Sequence, residues 1–223
     1  MNFALITEGA SEYRIIKHII TKYFKTEEPL INQIYPRIIN GKQDLNTPGG
    51  WNEVLKFCGR FDMDSIFVEN DYLIIQIDSD RCQTKPFNVS DTKSDNTKKT
   101  IEELHTDIVA RIYENIKSTI KDQYQNNILF AICVNTIECW LLPIYYNNHH
   151  RCDTSNCLYT LNSALEKNKI HRLPSRSKDK NNATSVCTYN QVLNNWKRKK
   201  DISSSAQFNP SFRLFVESLA SIN

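Results

Sequence analysis

The sequence predicts an α/β protein: a mostly parallel sheet of about four strands flanked by helices, with a helical C-terminal extension. Three observations predict it. Short apolar runs at Phe3–Thr7, Tyr72–Ile77 and Ile128–Val134 stop abruptly at polar residues, as strands buried on both faces do. Between them, apolar residues recur at three- and four-residue spacing, the signature of amphipathic helices. The composition, 40% hydrophobic and 10% aromatic, supplies a real core and is too apolar for a disordered chain. The length of 223 residues suits one domain with an appendage, divided into a body of residues 1–147 and a basic helical extension of residues 148–223 packed on it.

The elements follow in order. After the first strand, Ser11 is placed to cap a helix whose apolar stripe is Tyr13, Ile15, Ile16, Ile19, Ile20 and Tyr23. Gln33–Ile39 reads as a second strand, and Pro36 suits it to a sheet edge. A polar loop between Gly41 and Gly50 leads to a short helix at Trp51–Phe61. Beyond the strand at Tyr72–Ile77, residues from Cys82 to Thr97 are polar and read as a mobile loop. Ile101, Leu104, Ile108, Ile112, Ile116 and Ile120 then mark one long amphipathic helix. Past the strand ending at Val134, helices are expected at Cys139–Tyr146, Leu158–Asn168 and Tyr189–Lys199. A last one is opened by Asn209 as cap with Pro210 at the first helical position.

No apolar run approaches the roughly 20 residues of a membrane-spanning helix. The N-terminus lacks a basic start and meets Glu8 too soon for a signal peptide. Seven cysteines without regular spacing argue against a disulfide framework and for a reducing cytoplasm. Charge is uneven. Residues 167–200 hold ten Lys and Arg against the single acid Asp179, so with an overall charge of +3 the rest of the chain is net −6. A basic block on an acidic body suits a protein that holds a polyanion on one surface and cations on another; a solvated basic loop carries the same composition.

Right-handed crossovers bring the C-terminal ends of parallel strands to one rim, where such sheets bind ligands. Glu8, Asp78, Asp80 and Glu138 all follow strands and so gather there. Carboxylates crowded at one point must take up protons or recruit a cation. A hard ion, Mg²⁺ or Mn²⁺, fits oxygen ligands, and could bind a phosphate oxygen and lower the pKa of an attacking water. Glu8 could join the metal or act as general base, and Glu12, one helical turn on, could help hold a second ion. The simpler reading of each acid alone is a helix cap or first-turn charge.

Leu5-Ile6-Thr7-Glu8-Gly9-Ala10-Ser11-Glu12 together with Ile74-Ile75-Gln76-Ile77-Asp78-Ser79-Asp80 resembles the TOPRIM domain. Its pattern is a Glu-Gly after the first strand and an Asp-x-Asp after the third, jointly binding Mg²⁺. Asn135–Leu142 and Asn209-Pro210-Ser211-Phe212 further resemble small stand-alone TOPRIM-like proteins encoded beside ABC-type ATPases in anti-phage loci. The resemblance implies a TOPRIM-type nuclease, a toxic effector of abortive infection controlled by a partner ABC-type ATPase. It makes Glu8, Asp78 and Asp80 the metal and catalytic residues, with Glu12 and Glu138 as further ligands of Mg²⁺ or Mn²⁺. Gln76 departs from the pattern, since an apolar residue is usual in that strand. A chain of this length has no room for the modules of a primase or topoisomerase.

A nuclease also needs cations for the phosphodiester backbone. Arg81 beside the acid pair, Lys42, Arg37, and Lys197 and Arg198 are the candidates, and Trp196 could stack on a base unless it is part of a helix end. His149-His150-Arg151-Cys152, Cys157 and Cys187 offer zinc-type ligands at a spacing that matches no common zinc site. Rival readings are a phosphotransferase with Asp78 as nucleophile, a nucleotide-sugar transferase, and a non-catalytic subunit that binds a partner or nucleic acid. Trp140, Leu141 and Leu142 suggest more apolar surface than one small core uses, and with it a homodimer.

Overall fold

The computed structural model describes every residue except 40, 41, 45, 61, 176–179, 181 and 223, and leaves out the side chain of Lys42. Four parallel strands, β1 (Asn2–Ile6), β2 (Leu30–Tyr35), β5 (Tyr72–Asp78) and β6 (Ile128–Cys133), form a sheet in the order β2-β1-β5-β6. A two-stranded ribbon, β3 (Ile38–Ile39) and β4 (Lys42–Gln43), follows β2. The expected α/β class with a four-stranded parallel sheet is what the chain adopts.

The apolar runs form strands because alternate side chains have separate cores to enter. Phe3 and Leu5 of β1 join Ile74 of β5 and Leu129, Ala131 and Cys133 of β6 in one core; Ala4, Ile6, Leu73, Ile75, Ile77, Ile128 and Ile132 face the other. Helix α1 (Ala10–Tyr23) packs on the first face. On the second lie α2 (Trp51–Cys58), α3 (Ile66–Glu69), α4 (Ile101–Asn115) and α5 (Ser118–Tyr124). The chain moves outward from β1 to β2 in one direction and from β5 to β6 in the other. The C-terminal ends of β1 and β5 are therefore the switch point of the sheet, the place at which open parallel sheets bind ligands.

Several sequence expectations are corrected. The helix after β1 is capped by Gly9, and Ser11 lies inside it, its hydroxyl donating to Glu12. The long helix at Ile101–Ile120 is two helices, parted at Ile116 and Lys117, whose backbones are extended. Thr100 and Glu103 begin the first of them with a capping box. The segment from Cys82 is polar in composition yet anchored: Cys82, Phe87 and Val89 are buried, and Arg111 donates to the carbonyls of Pro86 and Phe87.

The C-terminal part runs through α6 (Glu138–Leu141), α7 (Cys157–Lys167), α8 (Ala183–Leu193), α9 (Lys199–Ala206) and α10 (Pro210–Ala220). Asn209 caps α10 as expected, its Oδ1 accepting from the Phe212 N–H at 3.1 Å. These helices complete the first core: Trp140 is fully buried, stacks on Phe212 at 4.8 Å and donates its indole N–H to Ser211 Oγ at 2.9 Å. Leu141 and Leu142 are equally enclosed, so these three residues belong to the core of one chain and are not the apolar surface that suggested a homodimer. Trp140→Ala should cost about 3–5 kcal/mol in urea unfolding, as loss of a large core aromatic does.

Trp196 is core, its indole donating to Ser205 Oγ, and has no face for a base. The basic block after it does not end a helix, as the sequence suggested, but begins α9, with Arg198 as the cap residue. Cys139 and Cys157 form a disulfide across α6 and α7, their Cα atoms 4.9 Å apart. A separation of 18 residues conceals that proximity in the sequence. No helix among the described residues is long and apolar enough to cross a membrane.

Candidate active site

The two central strands end in the acids. Glu8 follows β1 and turns across the crevice, where its Oε1 accepts the backbone N–H of Asp78 at 2.6 Å. Gln76 ties the segments together from below: its Oε1 accepts the Glu8 N–H at 3.0 Å, and its Nε2 donates to Asp78 Oδ1 at 2.9 Å. Gln76 and Asp78 share a face of β5 with Ile74, so a polar residue in an apolar strand has a defined task here. The sequence marks Gln76 as a departure without indicating that it joins two acid-bearing segments.

Glycines admit the close packing. A Cβ on Gly49 would stand 2.2 Å from the carbonyl oxygen of Glu8, and the Gly50 N–H donates to that oxygen at 2.7 Å. Gly9 leaves room for Glu12, whose Oε2 would be 2.7 Å from a Cβ there. Glu12 is buried in the first turn of α1 and is not the exposed charge expected of such a position.

The acids sense one another. Burial pushes the Glu8 carboxyl up to about 8, helped by the charges of Glu12 and Asp80 and opposed by the Asp78 N–H bond. Burial and then Glu8 raise Asp78 well above the carboxylate range. Asp80 is exposed at the mouth yet desolvated enough to be raised, against the pull of Arg81 and Lys180. The charges of Glu12 and Asp80 act on Glu8, and those of Glu8 and Glu12 act on Asp78.

Glu138 reaches this region with a cation of its own. Lys180 Nζ lies 2.5 Å from its Oε1, and the Tyr189 hydroxyl donates to the same oxygen at 2.9 Å. Burial disfavours the charge on Glu138, but Lys180 more than offsets it and holds the carboxyl below its usual value. Lys180 is the basic residue that the sequence treats as one of a block and the fold sends into the acid rim. Lys180→Ala would strand the buried carboxylate and should cost about 3–5 kcal/mol in denaturant unfolding at neutral pH.

Arg81 is exposed beside Asp80, on a cleft of about 370 Å³ that Lys98, Ile101, Leu104 and Asn135 also line. Arg37 is exposed in the turn after β2, and the side chain of Lys42 lies outside the described residues. Lys197 and Arg198 are exposed, next in the chain to the buried Trp196. Cys157 is used in the disulfide and Cys152 and Cys187 are exposed thiols. Among the described residues no three His, Cys, Asp or Glu side chains converge as a ready-made metal cage. In the comparisons with known proteins, no family model, curated protein or solved structure matches the chain.

Proposed function

We propose that the chain is a Mg²⁺- or Mn²⁺-dependent nuclease that hydrolyses phosphodiesters of RNA, such as tRNA, or of DNA. Glu8, Asp78 and Asp80 are its metal-holding and catalytic residues, with Glu12 placed for a second ion. The observation that carries this reading is the closure of Glu8 on Asp78 at the switch point of the sheet, 2.6 Å from carboxylate to backbone N–H. Glu8 and Asp78, each held toward the protonated form by burial and by neighbouring acids, are oxygen donors of the kind that a hard cation takes. Bound there, the ion would act as a Lewis acid toward the phosphate and lower the pKa of water. It would keep several of its waters, as Mg²⁺ does where the protein offers few ligands.

The chain's own groups have separable tasks. Gln76 fixes the backbone of Glu8 against the side chain of Asp78. Glu8 Oε1 is oriented by the Asp78 N–H, and Oε2 is the atom at which it would take a proton from the attacking water. Arg81 is placed to bind a substrate phosphate at the mouth. Control by an ABC-type ATPase in an anti-phage system extends this reading and rests on the TOPRIM resemblance alone.

One observation favours a second reading. Lys180 already brings positive charge to the rim, as a non-catalytic binding subunit with acids of purely structural use would require. Labelled tRNA, single-stranded RNA and duplex DNA incubated with Mg²⁺, Mn²⁺ or EDTA separate the two. Metal-dependent cleavage is expected of the nuclease; no cleavage under any condition, a partner ATPase included, would favour the binding subunit.

A further inference from the structure

The block at Lys197–Lys200 does not face the acid rim. Lys199 Nζ lies 4.0 Å over the ring of Tyr23, the last residue of α1. The next residue, Phe24, stacks on Phe3 at the start of β1, so this is the opposite rim of the sheet. The 14 residues of α1 separate the two ends by about 20 Å. Lys22 belongs to the same end: it is near enough to His18 to oppose protonation of that ring, whose Nε2 is 2.8 Å from the Trp196 carbonyl oxygen.

These cations are poorly compensated. Asp201 accepts the backbone N–H groups of Lys197 and Arg198 and lies 3.7 Å from the Arg198 guanidinium. Among the described residues no ion pair links an acid to Lys22, Lys197, Lys199 or Lys200. Glu27 and Glu28 lie in the turn after α1. Lys199 and Lys200 also occupy the first turn of α9, where the helix dipole opposes positive charge. Apart from the contact of Lys199 with the Tyr23 ring, these cations have no acidic side-chain partner among the described residues at this helix start, and a polyanion would supply one.

We propose that this end of the molecule is a second nucleic-acid anchor, separate from the acid rim and formed by Lys22 and Lys197–Lys200. It takes the phosphate backbone of a stem or duplex. The inference deepens the nuclease reading and rests on it for one consequence. A substrate held at both ends must span about 20 Å, or about six base-pair steps at 3.4 Å each, which selects structured RNA or duplex over short single strands.

The test uses the full chain in EDTA with a fluorescein-labelled 12-base-pair RNA hairpin, read by anisotropy over a salt series. Replacing Lys197, Arg198, Lys199 and Lys200 by Ala should weaken binding at least about tenfold and lower the slope of log affinity against log salt by about 3. A control that replaces Lys85, Lys93, Lys121 and Lys167 by Ala removes the same charge elsewhere and should leave affinity within about threefold. Unchanged binding by the first variant, or equal loss in both, would overturn the anchor. Cleavage of the same hairpin in Mg²⁺ is read separately. A raised KM with kcat kept supports anchoring, whereas lost binding in a protein that never cuts would keep the anchor and remove the nuclease.

Discussion

Glu8→Gln and Asp78→Asn should each lower Mg²⁺-dependent cleavage about 10³-fold in single-turnover assays, without loss of fold. The substitutions are nearly isosteric. Gln at position 8 keeps an oxygen to accept the Asp78 N–H, and Asn at position 78 keeps one for Gln76 Nε2. What each removes is negative charge at the one place where the two segments meet. Because the carboxyls act as a unit, the double variant should be scarcely slower than either single one. Cleavage within tenfold of the parent in both single variants would show that the chemistry lies elsewhere.

The second large effect is on stability. An acid whose folded pKa is raised favours the protonated form in the native state. Its contribution is complete below the unfolded value of 4.5 and is lost as pH rises through about 8. For Glu8 a shift of that size corresponds to on the order of 5 kcal/mol, and Asp78 shifts in the same direction. Metal-free protein should therefore unfold at progressively lower urea between pH 5 and pH 8. Mn²⁺ at pH 8 should restore much of the loss, since an ion bound only to the folded state stabilises it by mass action. Glu8→Gln should flatten the pH profile and weaken the metal effect. A stability that rises from pH 5 to pH 8 without metal would contradict the crowding of these carboxyls.

Much of the site is legible in the sequence because local pattern and topology agree. Phe3–Thr7 and Tyr72–Ile77 read as strands buried on both faces, and parallel strands deliver their following residues to one rim, which brings Glu8 and Asp78 together. Long-range packing escapes that logic. Lys180 is one cation among ten in a basic stretch, and nothing local says that it turns inward to Glu138. Gln76 is visible only as a polar residue in an apolar run, because its two partners belong to different segments. Lys197 and Arg198 read as backbone-binding cations, and the end of the sheet to which α1 and α8 carry them is not written in their spacing. The Cys139–Cys157 bond depends on how α6 meets α7, and no spacing rule reports it.

Anomalous scattering from a crystal soaked in Mn²⁺ tests most directly whether these oxygens share a cation. A peak is expected in the crevice between β1 and β5, about 2.0–2.3 Å from oxygens of Glu8 and of Asp78 or Asp80. A soak that leaves the crevice without manganese, while Glu8 stays bonded to the Asp78 backbone and Lys180 to Glu138, would contradict it.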